Sequence, residues 1–367
     1  MYKNKVIMGV TILIAISISV FILRQNLNYN KTNRNQSNNS LDNKRVTANT
    51  PKEQIMISQE IGINYVVHLY TLAQAGFKDE EYTKHYSDTV NKGDREFLIE
   101  HKEMMSFYGI NKGVLTYYLF FIPALNNFQT TIEWENYFKS VNLFLETKED
   151  IYIEAYLKEA IVPIDTLNNK ISQDVFYKFQ KIFINNFDTY KTQVWPFIQK
   201  ELSVKSNELN QMIGEFNYID RWEEVTNYEY NYNNYLYVLY YAGENGPSHN
   251  NLSLWKNSCY YQFASSKDML DMFSHELGMH LILPEVIDLW EQHNTYDVSD
   301  EIVYQSLETL VTFLNEKVLD RAGYDMNILY ESDFYTIYNE LYLDGITSPR
   351  DLYEEGFKIY LKRIENH

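Results

Sequence analysis

A single cysteine, Cys259, stands in the whole chain. No disulfide can close within it, and no thiolate cage can hold a metal. Cys259 has no basic neighbour in sequence to activate it, so it reads as a small buried hydrophobe. Basic charge is also short: 32 Lys and Arg face 50 Asp and Glu, leaving a net charge of −18. Phosphate backbones are gripped by clustered Lys and Arg, so this balance argues against a nucleic-acid partner and suits a soluble surface. Only 13 Gly and 7 Pro are present. Tight turns are therefore few, which favours a mostly helical chain. No internal repeat is visible, and only one long uncharged apolar run occurs, at Val6–Leu23.

That run follows Lys3 and Lys5. It is near the minimum of about 17 residues that spans a hydrocarbon core, and it also has the form of a secretory signal. No A-x-A site follows it, and it holds no cysteine for a lipid anchor. An uncleaved signal-anchor over residues 1–24 is expected, placing the remainder outside a cell membrane, or secreted if the signal is cut. Arg24, Lys31 and Arg34 oppose that orientation. Residues 25–50 are rich in Asn, Lys, Ser and Thr, cannot bury enough apolar surface to offset ordering entropy, and are expected to form a disordered tether.

The folded part is expected to be α+β and mostly helical, with 51–367 as one compact unit. In 51–216, Ile61, Tyr65, Leu69 and Leu72 recur at helical spacing, as do Trp134, Phe138, Val141 and Leu145. Gly76, Gly93 and Gly109 punctuate the segments. Tyr is abundant, with 33 copies. Many gather in Tyr228–Tyr241, which has strand composition and ends at the turn-forming Gly243–Pro247. Cys259–Phe263 is a second strand candidate. Tyr240, Tyr241, Tyr260 and Tyr261 are expected to pack. Ser265 or Ser266 could cap the helix that follows, and 217–367 is expected to combine a small Tyr-rich sheet, that helix and further helices.

The chemistry-bearing segment is Ser274-His275-Glu276-Leu277-Gly278-Met279-His280-Leu281. Two neutral imidazoles on one helix face with a carboxylate beside them make a zinc hydrolase site, usually spaced H-E-x-x-H. Here the second histidine falls one residue late, and Met279 holds its usual place. Positions i and i+5 stand about 140° apart on a regular helix; one residue absorbed as a π-bulge restores alignment. Gly278, with its backbone freedom, makes that distortion cheaper. His275 and His280 are the candidate ligands, and Glu276 the base that takes a proton from water. A third protein ligand is needed, with one position left open. Glu301, Glu308 and Glu316 are candidates. Glu308 is preferred, because it lies in an apolar helix where a bare carboxylate is costly. Glu285, Asp288 and His293 follow Pro284, where the helix is expected to break. His68, His85 and His101 read as structural. His249 reads as a loop residue that could reach a cleft and steady an oxyanion.

The stretch His275–His280 is similar to the H-E-x-x-x-H signature of the dipeptidyl peptidase III family of zinc exopeptidases. More broadly, His275–Pro284 and Gln59–Gly109 resemble an uncharacterised family of bacterial metallopeptidases with an H-E-F-G-H-type helix after a long helical half. These resemblances imply a zincin-like, gluzincin-type fold, one zinc ion, a Glu ligand on a later helix, and peptide or protein substrates. Two functions are open. One is a membrane-tethered extracytoplasmic zinc peptidase, whose Tyr-rich strand pairs with extended peptide. The other is an inactive zincin-fold protein that binds peptide or cell wall, a reading that Met279 favours.

Overall fold

The computed structural model describes residues 55–75, 79–105, 115–157, 173–230, 234–240, 258–261, 265–293, 296, 298–320 and 333–365. The expected signal-anchor and tether, Gly76, Gly109, Tyr241 and His249 lie outside them, as do the side chains of Cys259, Tyr260, Tyr261 and Glu301. Among the described residues no helix is long and apolar enough to cross a membrane. The fold is α+β and mostly helical, with one small parallel sheet. It divides into two compact units, Met1–Asn207 with Asn233–Phe263, and Glu208–Tyr232 with Ala264–His367. The strand segment thus clusters with the first unit, not with the helix that carries the histidine motif.

In the first unit, strand β1 (Met56–Ser58) leads into helix α1 (Ile61–Ala73), and α2 (Glu80–Tyr86), α3 (Lys92–Glu100) and the short α4 (Lys102–Met105) follow. A π-helical turn at Tyr117–Phe121 runs into α5 (Ile122–Asn126), then α6 (Thr131–Thr147), α7 (Glu154–Leu157), α8 (Gln173–Gln193) and α9 (Trp195–Glu215), which passes into the second unit. Helix α1 is buried along its whole length, as expected of a helix that is apolar on every side. Its Tyr65 sits among Trp134, Phe183, Phe187 and Tyr190. From the same helix, His68 contacts the Tyr82 hydroxyl at 2.8 Å and Thr89 Oγ1 at 3.1 Å. His101 contacts the Phe97 carbonyl at 3.1 Å and stacks on its ring, while His85 is exposed. His68 and His101 are therefore held in structural contacts.

After α10 (Tyr218–Thr226), which belongs to the second unit, the chain supplies β2 (Tyr235–Leu239) and β3 (Ser258–Tyr261). The strand order is β1-β2-β3 and both pairings are parallel, with Met56 opposite Tyr235 and Leu236 opposite Ser258. Leu236, Tyr237, Val238 and Leu239 are all buried, the unbroken apolar run that a central parallel strand requires. Peptide pairing along the Tyr-rich strand is therefore corrected: both sides of β2 are already taken, and Tyr237 is core. Tyr240 packs near Tyr82 and Phe197.

Among the described residues the second unit is helical. It holds α10, α11 (Ser266–His293), α12 (Asp300–Leu319), α13 (Asp333–Leu343) and α14 (Pro349–Glu365). Ser265 caps α11, accepting from the Asp268 N–H at 3.1 Å and donating to its carboxylate at 2.6 Å, a reciprocal cap. The break expected at Pro284 does not occur, and α11 runs on to His293. Pro284 has no N–H to give the His280 carbonyl, but burial on several faces holds the helix. Beyond the proline, Asp288 pairs with Arg350 of α14 through two bonds of 2.7 and 2.6 Å. His293 stacks on Phe357 at 3.9 Å and 9°.

Candidate functional site

The motif residues lie in the middle of α11, facing α12 and α10. His275, Glu276, His280 and Glu308 are 2%, 4%, 5% and 9% exposed. Buried polar groups of this kind persist only when they are partnered or used. His275 Nε2 lies 2.9 Å from Glu308 Oε2. The structure thus brings together two of the residues singled out as metal ligands, from successive helices α11 and α12. Glu308 Oε1 accepts from the Tyr304 hydroxyl one helical turn earlier. Burial raises the Tyr304 phenol well above its ordinary pKa, and the Glu308 and Glu276 carboxylates raise it further, so it stays a donor.

His275 Nδ1 is 3.5 Å from Thr312 Oγ1. Hydroxyl, imidazole and carboxylate here have the connectivity of an acyl-transfer triad. Thr312, however, is fully buried and donates to the Glu308 carbonyl at 2.8 Å. It has neither access nor a free proton, so it does not read as a nucleophile.

Glu276 and His280 are one turn apart, on another side of α11. Burial lowers the His280 pKa to about 4, although the Glu276 carboxylate pulls it upward. His280 is therefore neutral near pH 7, the form that binds metals. Helix α11 is α-helical throughout, with no π turn between His275 and His280. The two imidazoles consequently leave the helix about 140° apart. The expected π-bulge is absent, and Gly278 has a different role. A Cβ there would lie 2.3 Å from Trp222 Cη2, so glycine lets the indole of α10 rest on the helix backbone. Trp222 Nε1 donates to the Ser274 carbonyl at 2.9 Å and also reaches Ser274 Oγ at 3.0 Å. Ser274 Oγ donates to Asn315 Oδ1 at 2.6 Å, and Asn315 Nδ2 to the Asp271 carbonyl at 3.1 Å. This chain of bonds ties α10, α11 and α12 together directly beside His275.

The chain matches no known family, curated protein or solved structure. The site must therefore be judged on its own geometry. Two donors on a tetrahedral zinc ion, each about 2.0–2.1 Å from it, stand roughly 3.3 Å apart. His275 Nε2 and Glu308 Oε2, at 2.9 Å, are within a few tenths of that spacing. At that separation the contact is an ordinary hydrogen bond, and the pair supplies at most two of the three protein ligands that zinc needs. His280 does not stand with it, and among the described residues no group of three or more His, Cys, Asp or Glu is arranged to hold a metal ion. Two other ligand candidates are engaged elsewhere: Glu316 accepts from Tyr335 at 2.5 Å, and Asp288 holds Arg350. Tyr304, Thr312, Ser274, Asn315 and Trp222 were not singled out from sequence. Tyr304 could have been found by its four-residue spacing to Glu308, whereas nothing local marks Trp222.

Proposed function

We propose that this protein is a zinc-dependent peptidase, tethered to a membrane through Val6–Leu23 and acting on its outer side. The observation that carries the proposal is the contact of His275 with Glu308, a motif histidine and a later-helix carboxylate, both buried. His275, Glu308 and His280 would hold the ion. His280 joins only if one residue of 275–280 is taken up as a π turn. Two features lower that cost: the Ser274 carbonyl already has a second donor in Trp222, and Pro284 withholds the N–H that His280 would otherwise receive. When bound, zinc polarises a substrate carbonyl and acidifies water. Glu276 would take the proton from the attacking water and pass it to the leaving amine. Trp222, through Ser274, would hold the motif turn in place.

A second reading is an inactive zincin-fold protein that binds peptide or cell wall. The uninterrupted helix favours it. Full-length protein assayed on a quenched-fluorescence peptide library separates the two. The peptidase predicts cleavage that a chelator abolishes and zinc restores. Glu276→Gln should keep zinc and lose roughly 100- to 10,000-fold in rate, the usual worth of a general base. Bound zinc with no cleavage of any peptide would favour the binding protein.

A further inference from the structure

A cleft of about 850 Å³ lies in the second unit between α10, the end of α12, α13 and Thr347. Small-molecule sites occupy roughly 300–1,000 Å³, and among the described residues none of α11 lines this one. Some of its charged groups are already paired: Arg221 with Glu224 at 2.7 Å, and Glu316 with the Tyr335 hydroxyl at 2.5 Å. Lys317 and Asp320 are not. They stand three residues apart, where opposite charges on a helix usually meet. Asp320 instead ends α12 in the left-handed conformation, with φ 51° and ψ 41°. Lys317 holds its ammonium over two rings, 4.6 Å from the centroid of Phe313 and 5.4 Å from that of Tyr342. Among the described residues neither side chain has an ion pair or a hydrogen bond, and the same is true of the Asn339 amide and the Thr347 hydroxyl.

We propose that this cleft binds a small zwitterion, an α-amino acid or a dipeptide, whose carboxylate meets Lys317 and whose ammonium meets Asp320. The inference is independent of the zinc reading. A cation–π contact orients an ammonium without neutralising it, so the charge of Lys317 stays available to an anion. A simple anion would also face the carboxylates of Asp320 and Glu316, and a simple cation would face Lys317. A ligand carrying both charges satisfies both signs at once. The rings of Tyr335 and Tyr342, with Val225, give its side chain an apolar wall. Asn339 and Thr347 offer the few polar groups that fix orientation in such sites.

The test is calorimetric titration of the full-length chain, in a metal chelator so that no hydrolysis adds heat. The probes are phenylalanine, alanyl-phenylalanine, phenylpropionate, which lacks the ammonium, and phenylethylamine, which lacks the carboxylate. At least one zwitterion should bind, and each analogue, missing one charge-assisted bond, should bind about 10- to 100-fold more weakly. The tighter of the two zwitterions tells a free amino acid from a peptide as the source. Lys317→Met and Asp320→Asn should each lower zwitterion affinity by a similar factor. In Lys317→Met, phenylethylamine should bind as well as phenylalanine, since the ligand carboxylate has lost its partner; a merely structural role for Lys317 would not produce that match. No binding of either zwitterion to the parent would overturn the proposal. So would equal affinity for phenylalanine and either analogue in the parent, or unchanged affinity in both variants.

Discussion

Ser274, His275 and Glu276 are consecutive, so the helix sends them in three directions about 100° apart. Ser274 meets Trp222 and Asn315, and His275 meets Glu308. At this scale a buried polar residue is worth most as one half of a pair. Removing one partner leaves the other to bear its desolvation, about 1–3 kcal/mol. Two outcomes are expected in urea unfolding of the metal-free protein. His275→Ala should lose about 1–3 kcal/mol, because Glu308 then keeps a buried oxygen without its imidazole. Trp222→Phe should lose a similar amount, because the Ser274 bonds go and a gap opens beside Gly278. An unchanged unfolding midpoint in either variant would show that water reaches the site and replaces the lost partner. His275 and Glu308 were both singled out in the sequence by residue type and spacing, and the structure places them in contact. Trp222 was not legible, since its contact joins residues 52 positions apart through tertiary packing alone.

Helix α11 shows what local rules miss at the scale of an element. Pro284 should end a helix, yet here it does not, because Val286, Leu289 and Trp290 beyond it are buried and hold the continuation. Gly278 illustrates the same point with the opposite sign. On propensity alone, Gly278→Ala should stabilise α11 by about 1 kcal/mol. The added Cβ would meet Trp222 at 2.3 Å, and overpacking of this kind costs about 1–3 kcal/mol. The expected outcome is net destabilisation, relieved when Trp222→Leu is combined with it, as a double-mutant cycle would read. An additive cycle would contradict the packing account. Strands β2 and β3 were visible as Tyr-rich segments, whereas β1, Met56–Ser58, falls in a stretch that read as helical. The parallel pairing was not visible, since β1 is short and β2 and β3 are joined through residues whose pairing no local signal reports.

On the scale of the whole molecule, the mostly helical α+β class followed from scarce glycine and proline and from the apolar periodicities of α1 and α6. The split into two units did not, because the segment 233–263 leaves one unit's stretch of sequence to complete the other's sheet. Each unit also buries histidine in the neutral form. Burial lowers the His68 pKa to about 3 and the His293 pKa to about 4. The unfolded chain, with histidines near their ordinary 6.5, binds protons that the folded chain refuses, so stability falls as pH drops below about 6.5 and continues to fall toward those lower values. A tenfold difference in proton affinity between the folded and unfolded chain is worth about 1.4 kcal/mol. His68 alone therefore costs the folded state on the order of 5 kcal/mol once the pH has fallen to where even the buried ring is protonated. Thermal midpoints should decline from pH 7 to pH 5, and His68→Gln should flatten the decline. An equally steep decline in that variant would assign acid sensitivity to other groups.

The most direct test of the central claim is the zinc content of the purified full-length chain after metal supplementation, beside His275→Ala, His280→Ala and Glu308→Gln. The account predicts one zinc per chain, lost in all three variants. No zinc in the parent, or zinc that survives the loss of His275 and Glu308, would contradict it.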